Sequence, residues 1–273
     1  MQSCSRQAAY KGQQAKAEPL YVACLEQRRI AFGETHPHTL DSMNGLAALY
    51  YSQGQYAKAE PLYVACLEQL RIALGQTHPN TLNSMNGLAN LYNSQGQYTK
   101  AEPLYVACVE QNRIALGQTH PNTLNSMNGL ANLYCSQGQY AKAEPLYVAC
   151  LDQQRIALGQ THPKTLNSLN GLANLYCSQG QYAKAEPLYV ACVEQRRIAL
   201  GETHPDTLAS MNNLAVLYRS QGQYAKAESM FEDCLSKKEV VLRADHPDTI
   251  RTRNNLDQLR SMKKQSSSRC SLS

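Results

Sequence analysis

The residues of this sequence best suited to bind a metal ion or act as nucleophiles are histidine and cysteine, and both recur every 42 residues. The recurring residues are His36, His78, His120, His162, His204 and His246, together with Cys24, Cys66, Cys108, Cys150, Cys192 and Cys234. A zinc ion needs its ligands within a few ångströms, which one residue per repeat does not provide. No Cys-x-x-Cys pair is present either. We therefore expect no metal site, a small buried thiol in each repeat and a turn histidine before each proline.

The same period limits what other chemistry the chain can perform. Its 273 residues hold about 6.5 periods, and so faithful a repeat leaves little unique sequence for a catalytic set. There is no nucleophile beside a base, no pair of carboxylates in unique sequence and no Gly-x-x-x-x-Gly-Lys-Ser/Thr phosphate loop. We therefore expect a protein that is not an enzyme and needs no cofactor.

The formal net charge of +5 lies at one end of the chain. Residues 236–273 carry nine Lys/Arg and four Asp/Glu, whereas residues 1–235 carry 17 of each sign. A neutral array argues against nucleic acid as a partner, since nucleic acid binds to a basic surface. No run of about 18 apolar residues and no signal sequence is present, so we expect a soluble, cytoplasmic protein.

One period, residues 81–122, predicts a pair of helices. Helix A carries apolar residues at helical spacing: Leu82, Met85, Leu88, Ala89, Leu91 and Tyr92. Helix B carries Tyr98, Ala101, Leu104, Tyr105, Cys108, Val109 and Ile114, with Pro103 expected in its first turn. Gly96 and Gly117 follow the two helices and are expected to end them. Two such helices cannot bury their apolar faces alone, so successive pairs must stack.

The helix pairs are predicted to form one array over residues 10–262. Five full units begin at Leu40, Leu82, Leu124, Leu166 and Leu208. A lone helix B (about 13–31) precedes them, and a lone helix A (about 249–262), charged on one side, follows as a solvent-facing cap. We expect residues 1–9 and the basic, Ser-rich residues 263–273 to be disordered.

The order of large and small residues in the unit carries a family resemblance. That order is Leu88-Ala89-x-x-Tyr92, Gly96-x-Tyr98, Ala101, Tyr105 and Cys108. It resembles the tetratricopeptide (TPR) pattern. The 42-residue period, with "LG-x-x-HP-x-T", "LANLY-x-SQGQY" and "KAEPLY", is similar to the long TPR variety of kinesin light chain and nephrocystin-type proteins. The resemblance implies an all-α, right-handed superhelical solenoid of antiparallel helix pairs. The repeat also resembles sensor arrays attached to NTPases.

The resemblance further implies that helices A line a concave groove that holds a peptide. Asparagines lie on one stripe of helix A, and carboxamides both donate and accept, so we expect contacts to peptide backbone. The candidate groove residues are Asn44, Asn83, Asn86, Asn90, Asn125, Asn128, Asn132, Asn167, Asn170, Asn174, Asn212, Asn213, Arg219, Arg251, Asn254 and Asn255. The family's second asparagine of helix A is retained at Asn213 and Asn255. The other units have glycine there (Gly45, Gly87, Gly129 and Gly171), interpreted as room for close approach of a peptide.

We therefore predict an interaction scaffold or adaptor that binds peptide segments of partner proteins, similar to the cargo-binding part of kinesin light chain. The resemblance adds the kinesin heavy chain and cargo adaptors as partners, although kinesin light chains carry a long coiled coil ahead of the array and only about nine residues stand there here. An acidic peptide is expected beside Arg219 and Arg251. The alternative is a structural or regulatory repeat module, such as the sensor array of a larger signalling or NTPase system, that contacts partners through its ends or outer face.

The last four residues, Cys270-Ser271-Leu272-Ser273, fit the Cys-a-a-X pattern for prenylation. Basic residues upstream, Lys263, Lys264 and Arg269, are of the kind that helps one lipid to hold a membrane. Coincidence in a Cys-rich chain is the other interpretation. We expect membrane contact only if Cys270 is lipidated.

Overall fold

A computed structural model describes residues 2–270 of the chain and places side chains for residues 17–264. Within this range the chain forms helices and no strand, which confirms the all-α class. The helices are α1 (Gln2–Phe32), α2 (Pro37–Ser52), α3 (Tyr56–Leu74), α4 (Pro79–Ser94), α5 (Tyr98–Leu116), α6 (Pro121–Ser136), α7 (Tyr140–Leu158), α8 (Pro163–Ser178), α9 (Tyr182–Leu200), α10 (Pro205–Ser220), α11 (Tyr224–Leu242) and α12 (Pro247–Cys270).

From α2 onward, a helix A of 16 residues alternates with a helix B of 19 residues. Helices A are α2, α4, α6, α8 and α10, and helices B are α3, α5, α7, α9 and α11; α12 takes the place of a helix A and α1 that of a helix B. The connecting turns are so short that consecutive helices are antiparallel neighbours.

The chain divides into two compact units between Gln153 and Gln154, inside α7. In the unit formed by residues 7–153, α2 contacts α4 and α4 contacts α6, and in the unit that begins at residue 154, α10 contacts α12. Helices B do not meet in this way: α3 and α5, and α9 and α11, are not in comparable contact. Successive helices A therefore lie side by side within each unit and form its more closely packed face.

Each helix A begins three residues before the leucine that the sequence indicated, because a His-Pro pair starts it. His120 is the N-cap of α6: its backbone is extended, and its Nδ1 accepts a hydrogen bond from the backbone N–H of Asn122 at 3.2 Å. Pro121 is the first helical residue, where a missing N–H leaves no bond unmade. The recurring histidine is therefore a helix cap. No group of His, Cys, Asp and Glu side chains within the described residues is arranged to hold a metal ion.

Two glycines end the helices of each pair, as predicted, except that Arg243, with φ 74°, follows α11. Gly96 after α4 has φ 72° and Gly117 after α5 has φ 90°, a left-handed backbone that glycine adopts without a Cβ clash. Each donates its N–H to a carbonyl of the helix before it, Gly96 to Asn93 and Gly117 to Arg113. The turns are therefore fixed by the backbone chemistry of glycine.

The prediction that Pro103 lies in the first turn of helix B is wrong. The backbone N–H groups of Lys100 and Ala101 already donate to the carbonyl of Gln97, so α5 begins at Tyr98 and Pro103 falls in its second turn. Without an N–H, Pro103 leaves one intrahelical hydrogen bond unmade.

The core between the helices consists mainly of leucine, alanine, tyrosine and cysteine. Cys108 is fully buried, and its thiol donates to the carbonyl oxygen of Leu82 with an Sγ–O distance of 3.5 Å. Burial raises the pKa of this thiol to about 12, so it is an inert packing group. Ile114, predicted as core, is 76% exposed. The buried residues of α5 follow Tyr105, Cys108 and Asn112 at spacing i, i+3 and i+7, and Ile114 falls off that face.

The first and last helices are longer than predicted. α1 begins at Gln2, within the residues expected to be disordered, and α12 continues to Cys270 instead of ending near Met262. Alanine, glutamine and lysine near these ends favour helix. The charged side of α12 contacts α11, with Arg260 paired to Glu232 at 2.6 Å and Lys263 to Glu228. Among the described helices, none is long and apolar enough to cross a membrane.

Replacing His120 with alanine should lower the free energy of unfolding by about 1 kcal/mol, because the N–H of Asn122 loses its acceptor. Aspartate at the same place supplies a strong cap and should keep the stability of the wild type. Thermal unfolding followed by circular dichroism compares the three proteins. Equal midpoints for the wild type and the alanine variant would contradict the capping role.

Candidate functional site

The predicted asparagine stripe lies on the helix A face, by which we mean the surface formed by the helices A of one compact unit. In residues 7–153 the exposure of the stripe is graded: Asn83, Asn125 and Asn132 are exposed, Asn44, Asn90 and Asn128 are half-buried, and Asn86 is only 8% exposed. From residue 154 on, Asn167, Asn174 and Asn254 are exposed, Asn170, Asn213 and Asn255 are half-buried, and Asn212 is 4% exposed. The structure therefore brings the predicted asparagines together within each unit, but not all of them reach solvent.

A tyrosine of helix B fills the space beside the glycines of helix A. A Cβ at Gly87 on α4 would lie 2.6 Å from Cε1 of Tyr63 on α3, which is 4% exposed. Tyr105 on α5 stands in the same relation to Gly129 on α6. These glycines make room for a tyrosine of the preceding repeat, which corrects the interpretation that they leave room for a peptide.

Several of these tyrosines also bind predicted groove residues. The hydroxyl donates to Oδ1 of an asparagine of the same repeat: Tyr105 to Asn90, Tyr147 to Asn132 and Tyr189 to Asn174. Burial raises the pKa of each of these tyrosines, so the hydroxyl keeps its proton and stays a donor. The carbonyl oxygens of these asparagines therefore already accept a hydrogen bond within the fold.

Hydrogen bonds between successive helices A depend on the residue at the glycine place. In α10 this residue is Asn213, and its Nδ2 donates to Oδ1 of Asn170 on α8 at 3.2 Å. Asn255 on α12 donates to Oδ1 of Asn212 in the same way, at 3.3 Å. Where the next helix A has glycine instead, this donor is missing, and Oδ1 of Asn86 is buried without a partner among the described residues.

Two of the buried carboxamide oxygens in residues 7–153 that accept no hydrogen bond from a described residue belong to the predicted stripe and lie opposite a glycine of the next helix A. They are Oδ1 of Asn44, opposite Gly87, and Oδ1 of Asn86, opposite Gly129, and neither accepts a hydrogen bond from a described residue. An unsatisfied buried acceptor costs about 1–3 kcal/mol. Because both oxygens are buried, an N–H group of a ligand would recover that free energy only by entering between the helices.

The cations predicted to attract an acidic peptide already have partners. Arg251 forms an ion pair with Asp248 on its own helix at 2.7 Å, and Arg219 donates to Oε1 of Gln258 at 3.3 Å. An anionic ligand at this end must compete with a carboxylate that is already present.

Sequence reasoning missed the contribution of helix B to this face. Arg196 on α9 is 7% exposed and donates to uncharged oxygens: the carbonyl of Asp206 and the side chains of Ser210 and Asn167. No carboxylate in the described chain lies within ion-pair distance of it. The sequence did contain a signal for it: the residue at the place of Arg196, counted in steps of 42, changes from repeat to repeat.

Two other features recur along the chain on what we call the outer face, the surface that carries the exposed residues near the ends of helices B. Nζ of Lys100 lies 5.0 Å from the ring centroid of Tyr92, and four other lysines cover tyrosines in the same way. These lysines make cation–π contacts with the tyrosine rings. Ile72 and Ile114, near the end of helix B, are 80% and 76% exposed.

The side chain of Cys270 and residues 271–273 lie outside the described part of the chain. Lipidation at Cys270 stays a prediction.

The tetratricopeptide repeat family model matches residues 8–72, 42–110, 80–156, 122–194 and 164–239. Because these matches span most of the sequence, the chain belongs to the tetratricopeptide repeat family, and the predicted TPR solenoid is confirmed. Arrays of this family are generally non-enzymatic scaffolds that bind protein partners.

The chain also resembles proteins whose structures have been solved. A Podosopora anserina protein described as kinesin light chain nearly identical TPR-like repeats is 31% identical, with a TM-score of 0.65 over 76% of this chain and 99% of its own. BtubC (BKLC) from P. vanneervenii is 21% identical, with a TM-score of 0.70 over 86% of this chain and 94% of its own, and supports the fold alone. No curated protein matches the chain. The predicted resemblance to kinesin light chain repeats is thereby confirmed.

Replacing Gly87 with alanine should lower stability by about 1 kcal/mol, although alanine is the better helix former by about that amount. The added Cβ must displace the buried ring of Tyr63, and such overpacking costs about 1–3 kcal/mol. Urea unfolding of the wild type and the variant measures the effect.

Asn83→Ala, at an exposed position of the same helix, is the control and should be neutral or stabilising. In the background Tyr63→Ala the substitution at Gly87 should become stabilising. If Gly87→Ala stabilises the protein with Tyr63 in place, the packing argument fails.

Proposed function

We propose that this array is a protein-binding scaffold whose helix A face holds an extended peptide segment of a partner. The unpartnered oxygens of Asn44 and Asn86 carry the proposal, because each needs an N–H donor that no described residue supplies. A peptide offers N–H groups along its whole length. Binding would therefore satisfy groups that folding alone leaves unsatisfied.

Neutral hydrogen bonding, rather than charge, is the recognition that this face supports. Asn83 and Asn125 expose carboxamides that both donate and accept, whereas Arg251 is already paired with Asp248. The likeness to kinesin light chain repeats makes cargo adaptors and the kinesin heavy chain the partners to test first.

A second candidate surface is the outer face, which one observation favours. An aliphatic side chain near the end of each helix B is 76–86% exposed: Ile30, Ile72, Ile114, Ile156, Ile198 and Val240. Exposed apolar residues mark a contact surface where they form one contiguous patch.

Two variants distinguish these surfaces. Asn44→Ala/Asn86→Ala removes the unpartnered oxygens, and Ile72→Ser/Ile114→Ser removes two exposed side chains of the outer face. A library of random peptides displayed on mRNA is selected against the wild type, and the most enriched peptide is labelled for fluorescence anisotropy. We expect the asparagine variant to bind this peptide at least about tenfold more weakly, since each lost hydrogen bond contributes about 1 kcal/mol.

The isoleucine variant should bind this peptide as the wild type does. The asparagine variant should unfold at the wild-type temperature or above, because it loses buried groups that had no partner. Full binding by the asparagine variant together with lost binding by the isoleucine variant would show that the peptide binds the outer face and not the helix A face.

A further inference from the structure

One place on helix B carries a different residue in nearly every repeat. The residues there, each 42 positions after the last, are Arg28, Leu70, Asn112, Gln154, Arg196 and Lys238. In the first five copies the residue before this place is always glutamine and the residue after it is always arginine. Within this stretch the residue at this place varies most, as expected where that side chain sets what each repeat contacts.

This variable place is buried, and its side chain reaches the N-terminal part of the next helix A. Leu70, Asn112 and Lys238 are 1%, 2% and 1% exposed. Nδ2 of Asn112 donates to the hydroxyl of Ser126 at 3.2 Å, and Nζ of Lys238 donates to the hydroxyl of Thr252 at 2.9 Å. The fold accepts an aliphatic, an amide or a cationic side chain here, so packing alone does not dictate which one is present.

In residues 7–153 the variable place forms the floor of a cleft between α4 and α6. Its lining residues are Leu82, Asn83, Asn86, Asn112, Asn122, Asn125 and Ser126. The volume inside is about 10 Å³, room for one water-sized group. Oδ1 of Asn86 and Oδ1 of Asn112 are buried and have no partner among the described residues. Two buried carbonyl acceptors without described donors therefore belong to residues that line this cleft.

The chemistry of this cleft suits a small neutral group with two hydrogen-bond donors, which a water molecule or the NH₂ of a carboxamide provides. No carboxylate is among its lining residues, so the cleft offers a cationic ligand no counter-charge, although at the same place in α9 the chain's own Arg196 is held by uncharged oxygens. One backbone N–H satisfies one acceptor, whereas the NH₂ of a carboxamide can satisfy both. The ligand's own carbonyl oxygen would stay at the rim, where Asn83 and Asn125 are exposed and carry NH₂ groups.

We infer that this cleft recognises an asparagine or glutamine side chain of the bound peptide, with Asn112 as the specificity-determining residue. The inference rests on the proposed function and names the residue type that the helix A face reads at this repeat. Repeats with Leu70 or Arg196 at the same place present different chemistry to the ligand.

The test is a selection of random peptides displayed on mRNA against the full chain, against Asn112→Leu and against Glu110→Ala. Leucine stands at this place in the preceding repeat, so Asn112→Leu should fold and unfold like the wild type. Glu110 is exposed on the same helix and outside the cleft, which makes Glu110→Ala the matched control.

We expect the wild type and Glu110→Ala to enrich peptides with asparagine or glutamine at one fixed position, and Asn112→Leu to lose that enrichment. The best wild-type peptide should bind Asn112→Leu about tenfold more weakly, as for the loss of one buried hydrogen bond. Its analogue with leucine at the fixed position should be weaker on the wild type but not on Asn112→Leu.

The outcomes separate this inference from the proposed function. If the wild type enriches peptides without a fixed asparagine or glutamine, or if Asn112→Leu keeps the same fixed residue, the inference is overturned and peptide binding by the helix A face stands. If the wild type enriches no peptide at all, both are overturned.

Discussion

The contact between a helix B tyrosine and the next helix A is the constraint from which the surface of this protein follows. The ring of Tyr105 lies against Gly129 of the next repeat, and its hydroxyl donates to Asn90 of its own repeat. A Cβ at Gly129 would displace that ring, although Asn213 stands at the same place in α10. The glycine also lacks the amide that would have bonded to Asn86, so a buried acceptor is left without a described donor.

Near-identical repeats do not therefore present near-identical surfaces, because the hydrogen-bond donor for a helix A asparagine comes from the repeat that follows. Asn170 faces Asn213 and accepts its hydrogen bond, whereas Asn86 faces glycine and has no described donor. Asn170 and Asn212 accept a hydrogen bond from the next helix A, whereas Asn44 and Asn86 accept none from a described residue. The variable place of Asn112 adds a second difference, since its residue changes while its neighbours do not.

Periodicity was enough to predict the helix pairs, their stacking and the glycines that end them. Other features were predicted wrongly because they depend on the direction in which a residue points from its helix or on the residues that begin a helix. Ile114 is apolar but lies off the buried face, and Pro103 falls in the second turn because helix B starts earlier than its apolar pattern suggests. The histidines were assigned to turns, although a His-Pro pair supplies both an N-cap acceptor and a first helical residue.

The sequence by itself determined the class of fold, because apolar spacing, glycine and proline act over a few residues and are copied with each repeat. It also indicated an asparagine-rich face on helix A. Only the tertiary structure decided which of those asparagines are available, because partners such as Tyr105 for Asn90 and Asn213 for Asn170 come from other helices. The same holds for Asn112, whose place on helix B becomes part of the helix A face only when α4 and α6 lie side by side.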